Sequence, residues 1–299
     1  MTRALFFVRT LYQHQRNGIF LLPFSVIIIF FGRAMSRYYL TGALLALAST
    51  TINSEPISNF PITIKPYEKI VIYFGNTTDG FFFPPPVETL RKHAFNILTS
   101  INKKLGLERF TLLKPLYGNT GHIITGSDHT SAALLTGDYL ISNTPERALM
   151  TATADCIPII CIDPVHCAVA LIHAGWRSTA QHVTSRVIEQ MKKIFNTDPC
   201  ELQIIFGPGI RGCCYTVDEE RVTQLGIAID GECARKTEDG KLFVDLSVCN
   251  QKQLINCGVQ SDNIATRFNR CTMCDTQFFS YRREGSRAGR QLSVIALTK

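Results

Sequence analysis

From residue 109 to residue 173 the chain presents six strand-length apolar runs in quick succession. They cover 109–114, 122–125, 139–142, 148–153, 157–162 and 168–173, with turn residues between them. Runs this short and closely spaced leave no room for helices, so the first half of the body must be built from sheet. A further run at 69–74 reads as the opening strand, ended by a turn-rich stretch at 75–80 and an apolar, proline-stiffened loop over 81–86. Val87, Leu90, Ala94, Ile97, Leu98 and Ile101 recur at helical spacing and predict a helix over 87–105. After His173 the period changes. Ala180, Val183, Val187, Ile188, Met191 and Ile194 predict a helix from about residue 179, and 178–181 matches a capping box in front of it. A strand at 202–206, a glycine-rich loop at 207–212 and helices near 218–227 and 246–257 follow. A hairpin of 278–283 and 291–297 around a turn at 284–289 closes the chain. There is no internal repeat and no long linker, so 61–299 reads as a single α+β domain.

Residues 1–60 stand apart. The apolar stretch 18–31 contains Pro23 and is shorter than the roughly 20 residues a bilayer-spanning helix needs. A second apolar piece, 40–48, follows Arg37 and ends in small residues. Three readings stay open: a targeting segment, a membrane anchor, or translation from upstream of a start at Met35. Membrane contact is expected only through this segment. It also carries much of the net charge of +7, through Arg3, Arg9, Arg16, Arg33 and Arg37 with no acid before Glu55. Residues 55–299 hold 26 basic and 24 acidic residues, which argues against a nucleic-acid-binding surface. All eleven cysteines fall at or after Cys156, in an odd number and without the spacing of a disulfide scaffold. Reduced thiols in a cytoplasmic setting are the expectation.

Cys156 and His173 sit at junctions of apolar runs, where neither residue is needed for packing. They are metal ligands, a nucleophile with its base, or buried residues without chemistry. Gly175 and Trp176 follow the histidine into a helix start, whose free N–H groups suit an anion. Cys271 and Cys274 have zinc-knuckle spacing, but no second pair of that spacing follows them, so they read as buried thiols, and Cys213 with Cys214 as structural. Arg282, Arg283 and Arg290 around the last hairpin are candidates for gripping phosphate, with Arg287 at a solvated tip.

The stretches TADCIPII, HAGWRSTA, GPGIRGCCY and CTMCDTQFFSYRREGSRAGRQLSVIAL occur in this order along 153–297. Together they resemble the polyphenol oxidoreductase (laccase-like), or YfiH-like, family of zinc-dependent purine nucleoside phosphorylases. The resemblance implies a layered α/β/β/α fold with mixed sheets. It also implies phosphorolysis of adenosine, inosine, guanosine and S-methyl-5'-thioadenosine, with adenosine deamination as an associated activity. Purine nucleosides and phosphate are then the expected partners. Zinc, or copper as the alternative, would be held by Cys156, His173 and a histidine from a Gln-Val-His-Gly stretch. That third position is Tyr117 here, and a phenol with a pKa of about 10 is a poor ligand at neutral pH. His122 is the expected substitute, with His129 farther off. Catalytic roles fall to Cys156, His173 and Arg177, and phosphate or substrate contacts to Tyr281, Arg282, Arg283 and Arg290. Two further departures are the stretch 76–80, which lacks the family's arginine, and Ser178 in place of a glycine. Two rival readings remain: a metal-free Cys–His hydrolase or deamidase, and a catalytically degenerate member with a binding role.

Overall fold

A computed structural model describes residues 69–79, 88–126 and 132–298. The expectations for 1–60, for the loop 81–86 and for His129 lie outside the described residues. All the described residues belong to one compact unit, Tyr39–Lys299. Its first elements are β1 (Lys69–Phe74), α1 (Glu88–Lys104), β2 (Arg109–Lys114), β3 (Gly121–Ile124), β4 (Ala132–Thr136), β5 (Tyr139–Ser142) and β6 (Arg147–Thr153). The middle holds β7 (Ile157–Asp163), β8 (Ala168–Ala174), α2 (Trp176–Ala180), α3 (Val183–Phe195) and β9 (Gln203–Phe206). The last part holds β10 (Thr216–Val217), α4 (Glu219–Gln224), β11 (Ala234–Lys236), β12 (Leu242–Val244), α5 (Leu246–Asn256), β13 (Ile264–Ala265), α6 (Tyr281–Glu284) and β14 (Gln291–Thr298).

Two mixed sheets carry the fold, ordered β1-β14-β6-β2-β4 and β13-β9-β7-β8-β5-β3, with a small β10-β12-β11 sheet beside them. Ile70, Ile72, Leu149, Ile295 and Leu297 of the first sheet meet Leu140, Ile160, Ile162, Val169 and Leu171 of the second across a shared core. Helix α1 covers the outer face of the first sheet, setting Leu98 and Ile101 against Val71, Met150 and Val294. Helices α3 and α5 cover the second, with Val183, Val187, Met191 and Leu254 packed on Ile141, Ile159 and Ile172. This is the α/β/β/α layering that the resemblance implies. It explains why the strands read as continuous apolar runs: with both faces buried, alternate side chains on either side must all be apolar. Among the described residues no helix is long and apolar enough to cross a membrane.

Four local expectations change. The helix expected from about 179 is two helices, broken at His182, which has a left-handed φ of 56°. The capping box does not form: Ser178 lies inside α2 and its hydroxyl turns instead to Asp138, 3.1 Å away. The closing hairpin does not form either. Strand β14 pairs antiparallel with β1 and β6, while Tyr281–Glu284 is a helical turn capped by Ser280, whose Oγ accepts from the Arg283 N–H. Phe278 and Phe279 are buried beside that turn and Tyr281 is exposed, so the apolar stretch does not mark a pairing strand. Finally, β4 was not legible as a strand because it is an edge, half-exposed and paired only with β2.

Candidate active site

Strands β7 and β8 are antiparallel neighbours with Pro158 opposite His173 and Ile157 opposite Ala174. That register sets Cys156, one residue before β7, beside the end of β8. Seventeen residues apart in sequence, thiol and imidazole therefore converge on Gly175. A Cβ at that glycine would lie 3.0 Å from Cys156 Sγ and 3.4 Å from His173 Cε1, so only glycine leaves room for the pair.

Behind the imidazole stands Asp138, a fully buried carboxylate. Its Oδ1 lies 3.0 Å from His173 Nδ1 and accepts from Ser178 Oγ. It also accepts the backbone N–H groups of Tyr117 at 2.9 Å and Gly118 at 2.7 Å. Tyr117 reaches this arrangement through a left-handed φ of 61°, which aims two successive N–H groups at one anion. Burial works against a charged His173. Interaction with the Cys156 sulfur and the Asp138 carboxylate outweighs it and pushes the imidazole up to about 9. With Nδ1 committed to Asp138, Nε2 is the atom left to face Cys156. Asp138 is not singled out by the sequence; the signal it offered was an acid beside a glycine just before the run Tyr139–Ser142.

In front of the pair opens a cavity of about 680 Å³, lined by Tyr117, Trp176, Tyr215 and Tyr281 among aromatic residues and by Arg177, Arg221, Arg282 and Arg290 among cations. Arg177 and Arg221 both lie over the Trp176 ring, at 4.4 and 3.6 Å from its centroid. Arg282 is tied to Thr216 through two 2.9 Å bonds and covers Tyr215. The Tyr117 ring meets His173 edge-on, with centroids 5.5 Å apart. Burial and the Cys156 and Asp138 charges raise its phenol pKa, against the opposing pull of Arg290 and Arg177.

The structure thus brings Cys156, His173, Arg177, Tyr281, Arg282 and Arg290 to one cavity and leaves two expected residues out. Arg283 spends its guanidinium on the carbonyl oxygens of Thr272, Met273 and Phe278 and on Glu284, so it braces a loop instead of facing the cavity. His122 sits on β3, its Nε2 bonded to the Thr136 carbonyl oxygen at 2.9 Å, outside the cavity. The expected metal set of Cys156, His173 and His122 is not assembled. Among the described residues no third histidine, cysteine or carboxylate gathers with the first two on the cavity side. A catalytic zinc takes three protein ligands, so these side chains fall one short. The helix start after Gly175 is also less than expected, since α2 has only five residues and little dipole to offer.

The cysteines hold a second correction. Cys271 and Cys274 do have a partner pair, not in a matching motif but in the adjacent residues Cys213 and Cys214. All four sulfur atoms lie within 4.8 Å of one another.

Concave, cationic and built around a thiol held against an imidazole, the cavity is the cleft of a small-molecule enzyme. The chain belongs to the family described as multi-copper polyphenol oxidoreductase laccase, whose family model matches residues 94–298. It is 30% identical over 231 residues to a purine nucleoside phosphorylase of Clostridium acetobutylicum, covering 76% of this chain and 92% of that protein. It is 33% identical over 172 residues to an adenosine deaminase from an unknown prokaryotic organism, covering 56% of this chain and 65% of that one. Among solved structures, YfiH of Bacillus licheniformis superposes with a TM-score of 0.67 at 24% identity, over 76% of this chain and 92% of that one. That last likeness is one of fold.

Proposed function

We propose that the chain is a purine nucleoside phosphorylase acting on adenosine and related nucleosides in the Cys156–His173 cavity. The observation that carries this reading is the meeting of several guanidinium groups and aromatic faces around one thiol–imidazole pair. Phosphorolysis breaks the C1′–N bond to the base and forms a C1′–O bond to phosphate, through a sugar carrying positive charge. Arg177 and Arg290, whose charges both reach the Tyr117 phenol, hold the phosphate dianion against that charge. Tyr281, exposed at the cavity, offers a face on which the purine stacks. Hydrogen phosphate brings both the attacking oxygen and the proton that ends on the departing base. The His173–Cys156 pair at the cavity wall relays that proton, with Asp138 holding the imidazole in orientation. No step in this account passes through a metal.

The test is phosphate-dependent release of adenine from adenosine by the full chain, with Cys156→Ala as control. Release that requires phosphate and disappears in the control supports the reading; a folded protein that releases no base with phosphate present overturns it. One observation favours a second reading. Cys156, His173 and Asp138 line up as thiol, imidazole and carboxylate, the arrangement of a nucleophilic cysteine with an oriented base. Deamination or hydrolysis that proceeds without phosphate, is blocked by thiol alkylation and ignores chelators would put that reading first.

A further inference from the structure

We propose that Cys213, Cys214, Cys271 and Cys274 form a four-thiolate site for a structural zinc ion, separate from the cavity. Zinc bound to four sulfurs at about 2.3 Å makes a tetrahedron with edges of about 3.8 Å. The four Sγ atoms lie within 4.8 Å of one another, with Cys213 3.6 Å and Cys214 3.1 Å from Cys274. Small side-chain rotations close that arrangement on an ion.

The donors are fixed by the main chain before any ion arrives. The turn Cys271–Cys274 is closed by the Asp275 N–H on the Cys271 carbonyl oxygen at 2.9 Å. Its backbone is stitched to the glycine-rich loop by the Gly209 N–H on Arg270 and the Thr272 N–H on Gly209. On the other side, the Cys214 N–H bonds the Arg211 carbonyl oxygen at 2.9 Å, turning the adjacent cysteines toward the knuckle. Cys213 and Cys274 are exposed, so packing in a core does not account for them, while Cys214 and Cys271 are half-exposed at the edge of the core. Thiolates select soft ions, and four of them in tetrahedral array are the donor set of a structural zinc. Arg211, paired with Asp245, and Arg235, which reaches the Gly212 carbonyl oxygen, hold the loop that carries Cys213 and Cys214.

The site would brace the enzyme rather than act in it. Thr272, inside the knuckle, donates its hydroxyl to Asp155 Oδ1 at 2.6 Å, and Asp155 Oδ2 accepts the Arg282 N–H at 2.6 Å. Asp155 precedes Cys156, and Tyr215, which follows Cys214, lines the cavity. An ion at the knuckle therefore ties together the loops that form one wall of the cleft. The competing arrangement is a Cys214–Cys274 disulfide, which would leave Cys213 and Cys271 without partners.

The experiment uses the full chain carrying Cys156→Ser, so that the cavity contributes no thiolate, purified with a thiol reductant. Metal analysis should find about one zinc per chain, lost when Cys271→Ser and Cys274→Ser are added. Cobalt in place of zinc should give the thiolate charge-transfer band and the intense visible bands of a tetrahedral sulfur site. That spectrum does not depend on whether the knuckle variant folds. No bound zinc and no such cobalt bands, with the four thiols freely alkylated, would overturn the proposal. So would peptide mapping that finds a Cys214–Cys274 disulfide in the reduced preparation. None of these outcomes depends on phosphorylase activity.

Discussion

The two cysteine regions are opposites in construction. At Cys156 the surroundings are complete and the ligands are few: a buried imidazole, a buried carboxylate with four hydrogen-bond partners, and only one thiol. At the knuckle the ligands are complete and the surroundings are open: four exposed or half-exposed thiols gathered by turns. The contrast separates two things a polar site can be built for. Hydrogen bonds behind a side chain fix its orientation and proton, which is what chemistry requires. Number and spacing of soft donors fix an ion, which is what bracing requires.

Tyr117→His would erase the contrast most completely. It supplies the missing donor beside Cys156 and His173, and the cavity should go from no tightly held zinc to one per chain. Metal analysis in a Cys271→Ser/Cys274→Ser background reads this directly. Asp138→Ala breaks the surroundings without touching a thiol. Removing one member of a buried charged network costs about 3–5 kcal/mol, to be seen as a lower midpoint in urea unfolding. The same pair has a pH signature. His173 is near 9 in the folded chain against about 6.5 unfolded. Its contribution is therefore fully present below about pH 6.5 and lost as pH rises through about 9. Asp138→Asn should flatten that decline in stability.

Smaller changes sharpen the comparison. On the proposed reading, Arg290→Ala removes a guanidinium from the cavity and with it a charged hydrogen bond to phosphate worth about 1.5–3 kcal/mol. The phosphate concentration for half-maximal rate should rise about tenfold to a hundredfold, with the nucleoside requirement little changed. Thr272→Val cuts the link from the knuckle to Asp155 and should cost about 1 kcal/mol of stability. Zinc retained by this variant would place the bracing in the sulfurs; zinc lost would place it in the loop's hydrogen bonds.

The sheets were legible because burial on both faces writes a strand as an unbroken apolar run, as at 157–162 and 168–173. Helix α1 was legible through its spacing, and α5 lies within the 246–257 expected for it. What escaped depended on contacts remote in sequence. Strand β14 pairs with β1 more than 200 residues away, and a nearby aromatic stretch offered itself as a false partner. Cys213 and Cys214 find Cys274 across 60 residues, beyond any rule of local spacing. At the site, Cys156, His173 and three of the cavity arginines, Arg177, Arg282 and Arg290, could be named because motif and strand ends marked them, whereas Arg221, on a short helix far along the chain, could not. Asp138 could not, since its role is visible only once four donors from three segments are seen to converge on it. His122 looked suitable by proximity to Tyr117, but strand β3 carries its ring toward Thr136 instead.

Tyr117 holds Asp138 with its peptide N–H and not with its ring. Every residue except proline brings that N–H, so the loop's grip is indifferent to which side chain it bears, provided the residue tolerates a left-handed backbone. Position 117 is in that sense an exchangeable fitting on a permanent bracket. A histidine can give way to a tyrosine there, and the reagent at the mouth of the cleft is replaced while the frame around the imidazole stays as it was.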